Sequence, residues 1–233
     1  MDTPIIFRQL LEYETNTYTY IVADKVTKEA IIIDPVLETV ERDAQLIKEL
    51  WLTLRYILDT HVHADHITGS SALKKITGGL IALWIKNEKV VWNDIFLSDG
   101  QELHFWSQTV KVLETPWHTS WCVSYLVGDM AFTGDLLFVR GTGRTDFQSG
   151  SNQQMYDNIY AKIFTLPQET EIFPGHDYKG HMMTTVGEEI QFNPRVKNGN
   201  SFEVFGSIMD NLHLPYPKKL DVSLPANLKS GNI

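Results

Sequence analysis

The segment DTHVHADHITGS, Asp59 to Ser70, follows directly on the apolar, β-prone run LRYIL. Three histidines and one aspartate fall between His61 and His66. Imidazole and carboxylate are good ligands for Zn and Fe. A buried strand that ends in such a cluster limits the choice of fold, and the upstream chain narrows it further. NTYTYIVAD alternates and predicts a half-buried strand, and EAIIIDP predicts a fully buried strand stopped by Pro35. The short polar link DKVTKE joins them as a hairpin. In LETVERDAQLIKEL and the residue before it, Val36, Val40, Ala44, Ile47 and Leu50 recur at helical spacing and form one apolar face. LRYILDT follows as a strand. The order strand, helix, strand, ligand loop is a βαβ unit, and such sheets carry their ligand sites at the carboxyl ends of strands.

The same motif recurs downstream. His118 in ETPWHTS follows TVKVLE, Asp135 closes AFTGD, and His176 in IFPGHDY follows TEIF. A single histidine at a strand end is most often a hydrogen-bonding surface residue. Here five of the eight histidines and two aspartates share the pattern, which shifts the reading to a metal site. ITGSSALKKITGG predicts a short helix closed by Gly78 and Gly79. LIALW, ELHFW, TVKVLET, CVSYLV and MAFTG predict short strands. After Ser151, NQQMYDNIYAKIFTL and TTVGEEIQF predict helices around the strand TEIF. The tail LHLPYPKKLDVSLPANLKSGNI carries Pro215, Pro217 and Pro225, which predicts an extended, non-helical course. Residues 1–233 therefore read as one α/β (α+β) domain, with two sheets packed face to face and helices outside.

Composition excludes several classes. The formal net charge is −9 and there is no basic run, so a nucleic-acid partner is not expected. Cys122 is the single cysteine, so no intrachain disulfide forms, and its apolar neighbours predict a small core residue. The N-terminal stretch has no signal or transit pattern and no segment is apolar enough to span a membrane, so a cytoplasmic location is expected.

THVHADH, the later His-Thr at His118, TGD at Asp135 and GH at His176 resemble, in order, the signature of the metallo-β-lactamase superfamily. That resemblance implies an αββα sandwich with the metal at one edge. DPVLETVERDAQLIKEL, THVHADHITGS, GTGRTDFQSGS, KIFTLP, HDYKG and LPYPKKLDVSLPAN are similar to the persulfide dioxygenases of the ethylmalonic encephalopathy protein type, from Asp34 to Asn227. Glyoxalase II, a relative by fold, has a larger helical C-terminal extension.

The resemblance implies one Fe(II) per chain, held by His61, His118 and Asp135, and oxidation of glutathione persulfide with O2 to sulfite and glutathione in sulfide detoxification. Two histidines and a carboxylate on one face suit a non-haem Fe(II) oxygenase. No catalytic group beyond the metal centre is implied. His63, Asp65, His66 and His176 would then surround the centre, whereas in hydrolytic relatives they hold a second metal. A binuclear zinc thioester hydrolase of the glyoxalase II type thus stays open, as does a non-catalytic relative that keeps its metal. Arg144 and Tyr178 match positions lining the family's glutathione pocket, although a structural pair of Arg144 with Asp146 is the alternative for the first. Thr142 and Ser151 stand where some members carry cysteines, so no thiol relay is expected there. Partners expected are glutathione persulfide and O2, with no membrane and a homodimer left open. The chain departs from the family at PWHTSWC, where P-G-H-T-P-G-C is usual. Trp117 and Trp121 flank His118 and are expected to perturb the pocket, through backbone angle or lost space; the benign alternative is that they lie outward against a loop or line the pocket as an apolar wall. Trp51 and Trp106 likewise stand where relatives tend to have glycine.

Overall fold

A computed structural model describes residues 4–84, 93–117, 122–147, 149–214 and 219–232. His118 and Trp121, two residues on which the sequence reading leans, lie outside the described residues, as do Pro215 and Pro217. The first sheet runs in the order β1 (Ile5–Glu12), β2 (Thr17–Asp24), β3 (Glu29–Ile33), β4 (Thr53–Leu58), β5 (Leu80–Trp84), β6 (Ile95–Leu97). β1, β2 and β3 are antiparallel neighbours, and β3 to β6 are parallel. The second sheet runs from β7 (Glu102–Phe105) through β8 (Gln108–Glu114), β9 (Val123–Val127), β10 (Met130–Gly134) and β11 (Glu171–Pro174) to β12 (Thr184–Thr185). Among the described residues β10 and β11 pair in parallel there and the other neighbours are antiparallel.

Side-chain alternation distributes the core over three layers. Tyr18, Tyr20 and Val22 of β2 point between the sheets, onto Phe105, Tyr125 and Phe132. Ile21 and Ala23 point the other way, onto Val40, Ile47 and Leu73 of helices α1 (Val40–Glu49) and α2 (Ser70–Thr77). The expected half-buried β2 is therefore corrected: all eight residues are buried, because a helix layer covers its second face. Behind the second sheet, Leu136, Leu137 and Ile172 pack on α3 (Asn152–Asn158), the π-helical turn Ile159–Ile163, α4 (Val186–Phe192) and α5 (Phe202–Asp210). The αββα order follows from these layers. No helix among the described residues is long and apolar enough to cross a membrane.

Beyond β6 and α5, which the sequence reading did not assign, two further elements depart from the expectation. Ile5–Glu12 forms the edge strand β1, whose mixed burial blurs the alternation that would have marked it. The extended tail is corrected over Leu220–Asn227, which form helix α6 with Pro225 inside it. Proline removes one helical hydrogen bond, but Leu220, Ser223, Ala226 and Asn227 are all buried, and that docking outweighs the loss.

Trp51 and Trp106 occupy glycine-like backbone. The Trp51 N–H bonds the Lys48 carbonyl at 3.1 Å and the Leu52 N–H bonds that of Ile47 at 2.9 Å. This is a Schellman ending for α1, with Trp51 at the left-handed position (φ 60°) where glycine usually sits. Trp106 (φ 59°) is the first of two residues turning β7 into β8, a position that favours glycine in a type II′ hairpin. Both rings are exposed, at 83% and 69%, so little packing offsets the strain. Left-handed backbone costs an L-residue roughly 1–2 kcal/mol, and glycine returns part of that as unfolded-state entropy. Trp51→Gly and Trp106→Gly should each raise stability by about 0.5–1 kcal/mol. Urea unfolding checks this, and an unchanged or lower midpoint in both variants would show that the tryptophans fit their turns.

Candidate metal centre

Strand ends bring the expected residues together. His61, His63, Asp65 and His66 lie on the loop after β4, Asp135 follows β10, and His176 follows β11. His61 Nε2 lies 3.9 Å from Asp135 Oδ2. His176 Nε2 lies 3.4 Å from Asp135 Oδ1 and 3.6 Å from Asp65 Oδ2. The rings of His61, His63 and His66 follow one another at 4.1 and 4.2 Å between centroids. Two glycines make this approach possible. A Cβ on Gly134 would stand 2.4 Å from Thr60 Oγ1, and one on Gly175 would stand 2.7 Å from Asp135 Oδ1. The glycines of TGD and PGH thus let two strand ends close on the site.

Asp34, at the end of β3, organises the donors. It accepts the Thr60 N–H at Oδ1 (2.6 Å) and the Thr60 hydroxyl at Oδ2 (2.8 Å). Thr60 Oγ1 also lies 2.9 Å from His61 Nδ1. Its single proton is already given to Asp34, so Oγ1 accepts from Nδ1–H of His61. That tautomer leaves the lone pair on Nε2, facing Asp135. His63 Nε2 lies 3.2 Å from Asp34 Oδ1, so it carries the proton and leaves Nδ1 as the donor atom. His66 Nδ1 is 3.1 Å from Asp65 Oδ2, which leaves Nε2. One carboxylate therefore presents opposite nitrogens of His61 and His63.

The donor set fits a metal ion. Among the described residues His63 Nδ1, His66 Nε2 and Asp135 Oδ1 are buried without a hydrogen-bond partner, an expensive state for polar atoms that a cation would relieve. One ligand atom each from His63, Asp65 and His66 lies within 4.8 Å of the others. Electrostatics agree. Burial opposes charge on His63, but Asp34 and Asp59 outweigh it and push the ring up to about 9. Burial raises Asp135 to about 6 against the pull of His176. It also raises Asp59 to about 6, against the pull of His63. Three carboxylates (Asp34, Asp59 and Asp135) crowd a buried volume that favours positive charge.

A pocket of about 250 Å³ opens beside Asp135 and His176 and is lined by Arg140, Arg144, Tyr178, Lys179 and Arg195 among others. Arg144 gives a two-bond fork to Asp146, at 2.7 and 2.6 Å, in line with the structural pair that was the alternative for it. Tyr178 stacks on His176 at 5.9 Å with its ring open to solvent. Sequence reasoning missed Arg195. Its Nη1 donates to the Thr142 carbonyl and hydroxyl at 2.8 and 2.9 Å. Among the described residues no carboxylate pairs with Arg195 or Lys179. Asp34 and Thr60 were missed as well; their signal is their place, at the end of the strand beside the ligand strand and immediately before His61.

Trp117 does not take a left-handed backbone, so the angle explanation fails for it. Its ring is buried in the core behind the second sheet, edge-on to His61 at 6.3 Å and beneath Gly143, where a Cβ would meet it at 2.7 Å. It forms an apolar wall behind His61.

The family model for the metallo-beta-lactamase superfamily matches residues 13–176. Human "Persulfide dioxygenase ETHE1, mitochondrial" is 45% identical over 98% of this chain and 89% of its own. The chain belongs to the metallo-beta-lactamase superfamily and, within it, to the persulfide dioxygenase family. The crystal structure of ETHE1 from Myxococcus xanthus superposes with a TM-score of 0.93 at 49% identity, covering 97% of this chain and 99% of that one. A metallo-beta-lactamase from Staphylococcus aureus, at 24% identity and a TM-score of 0.88 over 97% of this chain and 73% of its own, shares the fold.

Thr60 supplies a test of this wiring. Thr60→Val removes the hydroxyl that Asp34 Oδ2 and His61 Nδ1 share, whereas Thr60→Ser keeps it. Outer partners of metal-binding histidines are worth roughly 10- to 100-fold in affinity. Thr60→Val should lose about tenfold or more in Zn(II) and Fe(II) affinity by chelator competition. Thr60→Ser should stay near wild type, and equal affinity in all three proteins would exclude the wiring.

Proposed function

We propose that the chain is an Fe(II)-dependent persulfide dioxygenase that oxidises glutathione persulfide with O2 to sulfite and glutathione. His61, His118 and Asp135 are proposed to hold one iron. The observation that carries this reading is a pocket with two cations that have no carboxylate partner among the described residues, Arg195 and Lys179, opening directly beside Asp135. Glutathione persulfide is a tripeptide with two carboxylates and a reactive terminal sulfur. The similarity to persulfide dioxygenases over nearly the whole chain supports the same reaction.

The overall step balances: persulfide anion, O2 and water give thiol, sulfite and one proton. Bound Fe(II) supplies a site where sulfur and O2 meet and exchange electrons. The protein supplies the rest. Arg195 and Lys179 pair with the peptide carboxylates, the Tyr178 ring covers the pocket edge against His176, and the glycine-bearing loop Gly141–Arg144 lets the peptide backbone approach. Asp34 and Thr60 keep the His61 ring turned with Nε2 inward. His63, Asp65, His66 and His176 remain grouped, the arrangement a two-metal hydrolase would also need.

Metal analysis together with an oxygen electrode decides between the readings. One iron per chain and consumption of one O2 per glutathione persulfide are expected. Two zincs, with cleavage of a glutathione thioester and no O2 uptake, would establish the hydrolase instead. Asp135→Ala should abolish iron binding, because it removes the anionic ligand, while His63→Ala should keep most of it; equal loss in both would contradict a mononuclear centre. Arg195→Gln should raise KM for glutathione persulfide about 10- to 100-fold with a smaller fall in kcat, the expected effect of losing a charged hydrogen bond of roughly 1.5–3 kcal/mol. Arg144→Gln should raise it less, since its fork already serves Asp146. The reverse order would return the substrate contact to Arg144.

A further inference from the structure

We propose that Asn227, in the last turn of α6, is a positioning residue that holds the backbone of the metal-ligand loop from the far end of the chain. Its side-chain amide donates both protons, to the carbonyls of His63 and His66, each at 2.8 Å. Its Oδ1 accepts the Thr68 N–H at 2.9 Å. The amide's two N–H groups and its oxygen are therefore all engaged, and all three bonds fall on the six residues that carry His63, Asp65 and His66. Asn227 itself is 5% exposed.

The loop needs such a partner. β4 ends at Leu58 and α2 begins at Ser70, so the residues between have no ladder or helix to take up their backbone groups. Pro35 and Leu37 secure the far end of the loop, through Gly69 N–H to the Pro35 carbonyl (2.7 Å) and Leu37 N–H to the Ile67 carbonyl (2.9 Å). Among the described residues the carbonyls of His63 and His66 are met by Asn227 alone. Aspartate at this place would set a carboxylate against two carbonyls with no proton to offer, and alanine would leave three backbone groups without partners.

Asn227 is itself fixed. Ser71 N–H bonds the Ser230 carbonyl at 3.1 Å, and a Cβ on Gly231 would meet the Thr68 carbonyl oxygen at 2.1 Å, so the chain end lies flat against the loop. Lys219, at the start of α6, reaches Glu14 and Glu38 at 3.2 Å each. The C-terminal segment is thus a clamp. Releasing the His63 and His66 carbonyls loosens the middle of the loop between its fixed ends, so the donors it carries shift together. Deleting one side chain leaves the loop's course intact.

The test uses the full chain and two variants. Asn227→Asp breaks the clamp. Leu228→Ala weakens the packing of the same segment against the helix-side core without touching those bonds. Measured for each are Zn(II) affinity by chelator competition, the absorption spectrum after Co(II) loading, and the thermal midpoint of the metal-free protein. Asn227→Asp should bind Zn(II) about tenfold more weakly and show altered Co(II) bands. Leu228→Ala should lower the thermal midpoint while keeping wild-type affinity and spectrum. Wild-type affinity and bands in Asn227→Asp would overturn the proposal. Losses in both variants that track the thermal midpoint would do so too, as would failure of Asn227→Asp to fold where Leu228→Ala folds. The proposal rests on a metal centre and not on which metal it holds. A wild-type protein that takes up zinc and consumes no O2 would end the dioxygenase reading and leave this one standing.

Discussion

The carboxylate of Asp34 is the constraint around which the site is built. It is 1% exposed, and a buried carboxylate is tolerable only when its oxygens are fully engaged. Thr60 engages both of them, and His63 shares one. Asp34 sits in left-handed backbone (φ 52°) with its N–H on the Leu58 carbonyl at 2.8 Å, which ties the end of β3 to the end of β4. That arrangement satisfies the buried charge and also dictates which nitrogen of His61 and of His63 faces inward. The ligand face is therefore set by hydrogen bonding before any ion arrives.

Around this anchor the fold works by bringing chain ends close. The βαβ unit delivers the histidine loop, and the parallel pair β10 and β11 delivers Asp135 and His176 from the other sheet. Gly134 removes the side chain that would hold the end of β10 off Thr60 of the other sheet, and Gly175 lets the end of β11 close on Asp135. The C-terminal helix closes the loop from behind. The pocket proposed for the substrate opens on the remaining side, where the loop after β10 presents backbone and cations, and Trp117 fills the space beneath it.

Much of this was legible in residues alone. The helical spacing of Val40, Ala44 and Ile47, the run LRYIL and the cluster behind it marked the βαβ unit and the site, because period and ligand density are local properties. Full burial of β2 was not legible, since a second covering layer leaves no mark in the strand's own alternation. Helix α6 was hidden by Pro225, whose local preference yields to the burial of its neighbours. Asp34, Thr60, Arg195 and Asn227 were missed for a shared reason: each acts through a partner distant in sequence or through another residue's tautomer. By contrast, Trp51 and Trp106, noted only as departures from glycine, do fall on left-handed backbone.

The central claim is that Asp34 and Thr60 preset His61 to bind a metal through Nε2, with Asp135 as its anionic companion. A crystal structure of the iron-loaded protein tests it directly. The account predicts iron bonded to His61 Nε2 and to Asp135, with the Asp34–Thr60–His61 hydrogen bonds intact. Iron bonded to His61 Nδ1, or seated among His63, Asp65 and His66 without Asp135, would contradict it.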